Sequence, residues 1–178
     1  TNSRGVAIFF YNNCEFEIHS EYKDENGNYV ILDATVEDVP LLLINIYGPN
    51  SDTPNFYASL MDKIVDCLNT QYIITGSDFN LVMDKDLDSM NYKHLNYPQA
   101  RIEVLKLIET LSLVDIFRQN APNLRRKTWR RKKPIKQARL YYFLISKTLM
   151  NREPHFKFEN SYRSDHSPIG LSCKFNDF

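Results

Sequence analysis

Arg139-Leu140-Tyr141-Tyr142-Phe143-Leu144-Ile145-Ser146 is the stretch on which the fold turns. Its apolar run, closed by Arg and Ser, predicts a strand over residues 140–146. Downstream, Ser164-Asp165-His166-Ser167-Pro168 stands directly before a further predicted strand, residues 169–174, with another at 155–159 between them. Upstream, the apolar residues 72–75 predict a strand that feeds Gly76-Ser77-Asp78-Phe79-Asn80. Polar residues thus gather at strand ends, where open α/β sheets place their sites.

Further outward, residues 5–11 form a nearly continuous apolar run and predict a buried strand. Residues 29–36 alternate after the turn dipeptide Asn26-Gly27 and predict another. Leu-Leu-Leu-Ile-Asn-Ile-Tyr over residues 41–47 is a third, stopped by Gly48-Pro49-Asn50. Thr53-Pro54 reads as an N-cap followed by Pro in the first helical turn. Phe56, Leu60, Ile64 and Cys67/Leu68 then recur at helical spacing to about residue 70. A second amphipathic helix is expected over 100–111, with Ile102, Leu105, Ile108 and Leu111 on one face. Residues 120–137 read as a basic loop broken by Thr128-Trp129. No internal repeat is visible. Strands mixed with two helices predict one layered α/β domain over residues 1–178, with helices outside the sheets.

The 178 residues suit one domain, and a hydrophobic share of 43% argues against disorder. No run of 18 apolar residues exists, so no membrane-spanning helix is expected. The chain opens on Thr1 without Met or a signal-peptide pattern, which reads as a start inside a longer protein. Cys14, Cys67 and Cys173 are scattered, with no CxxC spacing, so neither a disulfide framework nor a zinc site is expected. Such thiols suit a reducing, intracellular compartment. Cys67 and Cys173 are expected to be buried as small hydrophobes.

Net charge is zero, but residues 116–152 hold 12 Lys/Arg and no Asp or Glu. The remainder holds 10 of the 22 basic residues against all 22 acidic ones, a net of −12. That asymmetry marks a polyanion-binding face. Arg130, Arg131, Lys132, Lys133 and Arg139 are the candidate nucleic-acid contacts, since Lys and Arg meet phosphates. A solvated loop or a nuclear-localisation signal is the competing reading. Trp129, in the middle, is expected in the core.

Asp78 and Asn80 are the first candidates for chemistry. An acceptor and a donor two residues apart can hold a water or a phosphate. The plainer alternative is a turn that uses Asp and Asn to bond its own backbone. His166, preceded by Asp165, can act as base, acid or phosphate donor. Tyr47 ends a strand, where its hydroxyl can reach a phosphate. A core tyrosine is the alternative there.

In combination these segments resemble the endonuclease domain of LINE-type (non-LTR) retrotransposons, in the exonuclease–endonuclease–phosphatase superfamily. The residues that carry the likeness are Ser3-Arg4-Gly5-Val6-Ala7-Ile8, Asn45–Asn50, Gly76–Asn80, Leu113–Arg118, Thr128-Trp129, Arg139–Ser146 and Ser164–Ile169. The resemblance implies a two-sheet α/β sandwich that nicks DNA with a divalent metal, usually Mg²⁺. It implies a reverse-transcriptase domain further along the same polyprotein, a monomeric nuclease unit and a nuclear site of action. By resemblance, Asp78 positions or deprotonates the attacking water, Asn80 and Tyr47 hold the phosphate, and His166 stabilises transition-state charge. Asp165 helps hold water or metal, and Asp115 is structural. Superfamily phosphatases share the Asp-x-Asn and Ser-Asp-His ends, so a phosphatase is the alternative. The basic loop, Tyr47-Gly48-Pro49-Asn50 and the Phe-Leu-Ile-Ser strand end favour the retrotransposon branch.

Two departures from the pattern bear on activity. The family's opening strands, which bring the Glu that is the principal metal ligand, have no counterpart before Thr1. A hard cation needs oxygen ligands, and that Glu is the strongest of them. The Asp that normally orients the histidine is Tyr141 here, and a usual Ser is Ala138. Losing such an orienter costs about 10⁴ in rate in serine proteases. A phenol is neutral at pH 7 and supports an imidazolium less well. The expectation is a domain lacking its first strands and cutting negligibly, with nucleic-acid binding as the activity that persists.

Overall fold

The computed structural model describes residues 5–159, 161 and 164–175; Ser3 and Arg4 of the opening motif lie outside them. The chain runs β1 (Phe16–Lys23), β2 (Tyr29–Val36), β3 (Val39–Ile46), α1 (Pro54–Asp66), β4 (Ile73–Asp78) and α2 (Lys85–Asp88). It continues through β5 (Ser89–Met90), α3 (Pro98–Thr110), β6 (Leu113–Asp115), α4 (Ile116–Asn120), β7 (Trp129–Lys132) and β8 (Ile135–Ala138). It closes with β9 (Tyr141–Ser146), a 3-10 turn at Lys147–Arg152, β10 (His155–Phe158) and β11 (Ile169–Ser172).

Six strands make the main sheet, in the order β1-β2-β3-β4-β9-β6. β1, β2 and β3 form an antiparallel meander, and β3 pairs in parallel with β4 across the α1 crossover. β9 then inserts antiparallel between β4 and β6. Residues of α1 (Tyr57, Leu60, Ile64) and α3 (Ala100, Val104, Leu107) pack with Ile31, Leu42, Ile44 and Ile46 of the sheet. Full burial of a Leu or Ile such as Leu60 or Ile64 contributes roughly 2 kcal/mol. A second cluster joins Ile116, Ile145 and Leu149 to Ile74, Phe143, Phe156 and Leu171, which ties the β10–β11 pair to the core. A small third sheet, β5-β8-β7, carries the basic segment.

Most predicted elements stand, with shifted ends, and the layered α/β architecture is present. Four differences have physical reasons. Residues 5–11 form no strand. They lie over a face of the main sheet, held by a side chain of β3 rather than by a backbone ladder. Phe9 is 90% exposed, and the Asn45 side chain donates to the Ala7 carbonyl at 2.9 Å. Beneath them is a cavity of about 750 Å³, lined in part by Leu43, Ile74, Gly76, Tyr141 and Phe143. Second, α3 turns Ala100, Val104 and Leu107 inward, leaving Ile102 and Leu105 partly exposed. The small Ala100 permits close approach to α1, and this set repeats at the same helical period as the expected one. Third, the basic segment is no simple loop: β7 and β8 make a hairpin across Lys133-Pro134. Fourth, the three cysteines are free thiols of intermediate exposure, and Cys67 and Cys173 stand just past an element's end.

Candidate active site

The site is built where four strand ends meet. β4 finishes at Asp78, which is paired across the sheet with Tyr141 at the start of β9. Tyr47, one residue past β3, bridges Asp78 in parallel on the other side. The Gly48 amide donates to the Asp78 carbonyl at 2.7 Å. Gly48 is fixed here by space: a Cβ would sit 2.3 Å from the Tyr57 hydroxyl oxygen and 2.4 Å from the Phe79 carbonyl oxygen.

Asn80 leaves strand geometry at φ 52°, a left-handed conformation that Asn tolerates better than most residues. Its amide N–H donates to Asp78 Oδ1 at 3.0 Å, and its side chain donates to the Gly48 carbonyl at 2.7 Å. The backbone-bonding turn anticipated as the plainer reading is therefore present. It coexists with a carboxylate aimed at Tyr141. Burial pushes the Asp78 carboxyl up to about 6, against a smaller lowering by the Asn80 N–H.

The other side of the site comes from the Ser164–Ser167 turn. His166 bridges Trp129 of β7, and the Ser167 amide donates to the Thr128 carbonyl at 2.7 Å. Thr128 Oγ1 in turn accepts the Leu140 and Tyr141 amides at 2.8 and 3.1 Å. Thr128 and Trp129 thus join the histidine turn to β9. The imidazole lies stacked on the Tyr141 ring, with centroids 5.0 Å apart and planes 28° from parallel. Its Nδ1 is buried and makes no hydrogen bond. Burial lowers the His166 pKa below the ordinary range, opposed by Asp165. The Tyr141 phenol is pushed up to about 12, first by burial and then by Asp78, Asp165 and Tyr47. A tyrosine in place of an orienting carboxylate therefore contributes a ring face, not an acceptor for the imidazole N–H.

The predicted residues divide as follows. Asp78, Asn80, Tyr47, Tyr141, Asp165 and His166 converge. Asp165 is exposed, and its Oδ2 accepts from the Trp129 indole at 3.1 Å. Trp129 packs against Val82, Ala138 and Leu140 as a half-buried side chain. Arg131, Lys132 and Lys133 are exposed on the hairpin. Arg139 is a correction: it is 1% exposed and binds Asp88 and Asp115. A guanidinium with both carboxylates inside the fold is unavailable to a phosphate. Arg130, although exposed, has its guanidinium against the Ser161 and Ser164 carbonyls and 3.5 Å from Ser167 Oγ. Asp115 accepts from Arg139 and the Arg118 amide, a structural role as expected. Trp129's tie to Asp165 was not foreseen, because an aromatic between cations carries no signal of what its N–H meets.

Among the described residues no group of three or more His, Cys, Asp or Glu is placed to hold a metal ion. The two carboxylates near the imidazole are Asp78, whose burial favours the neutral acid, and Asp165, tied to the indole. Mg²⁺ is commonly held by one or two carboxylates, with water and substrate phosphate completing its shell, so this pair is a sparse donor set.

No family model matches the sequence. Solved structures do resemble it. An AP endonuclease from Archaeoglobus fulgidus aligns with TM-score 0.73 at 16% identity, over 89% of this chain and 72% of that one. A 3′-5′ exonuclease, NExo, from Neisseria meningitidis aligns at 0.69 and 18%, over 92% and 71%. The chain has the fold of the exonuclease–endonuclease–phosphatase superfamily. The endonuclease domain of TRAS1, a telomere-specific non-LTR retrotransposon, aligns at 0.70 and 14% identity, over 98% of this chain and 80% of that domain.

Proposed function

We propose that this chain derives from a metal-dependent DNA-nicking endonuclease of the non-LTR retrotransposon type and, as it stands, binds nucleic acid without cutting it. The observation that carries the reading is the Tyr141–His166 stack. Asp78, Asn80, Tyr47 and His166 lie together, yet the imidazole rests on the Tyr141 ring. A neutral, stacked imidazole is poorly placed to stabilise charge on a phosphate. The sparse donor set, Asp78 and an Asp165 tied to the Trp129 indole, favours the loss of cutting, and the TRAS1 domain supports the retrotransposon origin. The ancestral protein would have used Mg²⁺ to open a 3′-hydroxyl for a downstream reverse-transcriptase domain, in the nucleus and as a monomer. Arg131, Lys132 and Lys133 beside the site remain for phosphates.

A supercoiled-plasmid assay with Mg²⁺, run beside EDTA, tests the loss of cutting. No nicking is expected from the chain or from Tyr141→Asp, because the added carboxylate faces the imidazole and leaves Asp78 and Asp165 as they are. EDTA-sensitive nicking by the unaltered chain, abolished in His166→Ala, would overturn it. Rescue by Tyr141→Asp alone would place the whole lesion at residue 141.

A further inference from the structure

Arg130 belongs to the basic segment by sequence and to the histidine turn by its hydrogen bonds. The Ser164–Asp165 part of that turn is exposed and brings little apolar packing of its own. What holds it is polar and comes from the start of β7. The Arg130 amide donates to the Asp165 carbonyl at 2.9 Å, and the Trp129 indole donates to the Asp165 carboxylate. The Arg130 guanidinium then reaches across the turn. Nη2 donates to the Ser161 carbonyl and to the Ser164 carbonyl at 3.2 Å, while Nη1 lies 3.5 Å from Ser167 Oγ. One planar group thus ties residues on both sides of His166 to one strand. We propose that Arg130 is a positioning residue for His166, closing its turn onto β7 and so seating the imidazole on the Tyr141 ring.

The inference rests on reading the Asp78–Tyr141–His166 cluster as the relic active site. Its chemistry needs an arginine. A guanidinium presents five donors in a rigid fork, whereas a lysine ammonium is a single point at the end of a flexible stem and does not span three acceptors. Arg130 is exposed, as are its neighbours Arg131 and Lys132, but its guanidinium is engaged by carbonyls of the histidine turn. Arg130 therefore acts within the protein where a basic hairpin would suggest a DNA contact.

Two readouts on the full chain separate the roles. One is the NMR shifts of the His166 ring protons, assigned by comparison with His166→Asn and displaced by the Tyr141 ring current. The other is the salt dependence of binding to a short DNA duplex. Arg130→Gln and Arg130→Lys are both expected to lose most of the ring-current displacement while leaving the slope of log K against log[salt] unchanged. Arg131→Gln should keep the His166 shifts and lessen the slope by about 0.9, the value for one phosphate contact. Unmoved His166 shifts together with a slope that falls in Arg130→Gln and is restored in Arg130→Lys would overturn the proposal. Should Arg130→Gln not fold, unchanged shifts in Arg130→Lys overturn it alone. If no form of the chain binds DNA, the proposed function fails, and the NMR arm still decides the role of Arg130.

Discussion

Asp78 illustrates how one buried carboxyl links function to stability. Its pKa rises from an ordinary value near 3.8 to about 6, because burial disfavours the charge. Between those values the folded state holds a proton that the unfolded state has lost, so stability falls as pH rises through that window. Asp78→Asn should therefore raise the melting temperature at pH 7.5, by the equivalent of roughly 2 kcal/mol, and hardly change it near pH 3.5. Equal gains at both pH values, in thermal melts, would show that the charge is not the cause. At Gly48 the issue is space. Gly48→Ala forces a methyl into the Tyr57 hydroxyl and the Phe79 carbonyl, which are themselves bonded at 2.6 Å. A loss of about 2 to 3 kcal/mol is expected in urea denaturation, of the size overpacking produces. A neutral result would mean that the Phe79 backbone yields. The residue types of the site were legible because motif order ties them together. That Tyr141 stacks on the imidazole was not, since a hydrogen bond and a ring contact use the same side chain.

At the scale of elements, one buried ion network fastens α2, α4 and the lead-in to β9. Arg139 donates to Asp88 at 2.7 Å and to Asp115 at 2.6 Å, and Arg118 joins it at Asp88 at 2.6 Å. Asp88 is fully buried, so removing Arg139 leaves it with Arg118 alone and takes the guanidinium from Asp115. Arg139→Ala is expected to cost about 3 to 5 kcal/mol and to leave the salt slope of DNA binding unchanged. A slope reduced by one contact in a folded Arg139→Ala protein would restore Arg139 to the binding face. Charge alone could not separate Arg139 and Arg130 from Arg131, because position in the fold decides whether a cation meets carboxylate, carbonyl or water. β1 escaped detection for a related reason. All eight of its residues are exposed, so burial imposes no alternation on Phe-Glu-Ile-His-Ser-Glu-Tyr-Lys. A bulge between Ile18 and Ser20 breaks the period as well. Residues 5–11 erred in the other direction: apolar content was read as pairing, and the segment forms no ladder.

For the molecule as a whole, the charge asymmetry is narrower in effect than in sequence. Arg118, Lys127, Arg130 and Arg139 all bind internal carbonyls or carboxylates. Arg131, Lys132 and Lys133 stay exposed on the β7–β8 hairpin, the place proposed for phosphate contacts. Changing Arg131, Lys132 and Lys133 together to Gln should lessen the salt slope of duplex binding by roughly 2 to 3. A slope that stays constant would place the contacts elsewhere. No helix among the described residues is long and apolar enough to cross a membrane. The fold class was readable because the strand-end motifs occur in one order. The placement of the three-stranded sheet was not, since it depends on tertiary ties such as Arg139 to Asp88, 51 positions apart. The insertion of β9 between β4 and β6 has a consequence during synthesis on the ribosome. β1 to β4 and α1 emerge as one continuous unit, but β4 waits with an open edge for more than sixty residues until β9 is translated. A nascent chain stalled in that interval would offer Ile73–Asp78 to any passing strand. Vulnerability to aggregation should therefore peak with the length of the nascent chain, then vanish once Tyr141–Ser146 clears the exit tunnel.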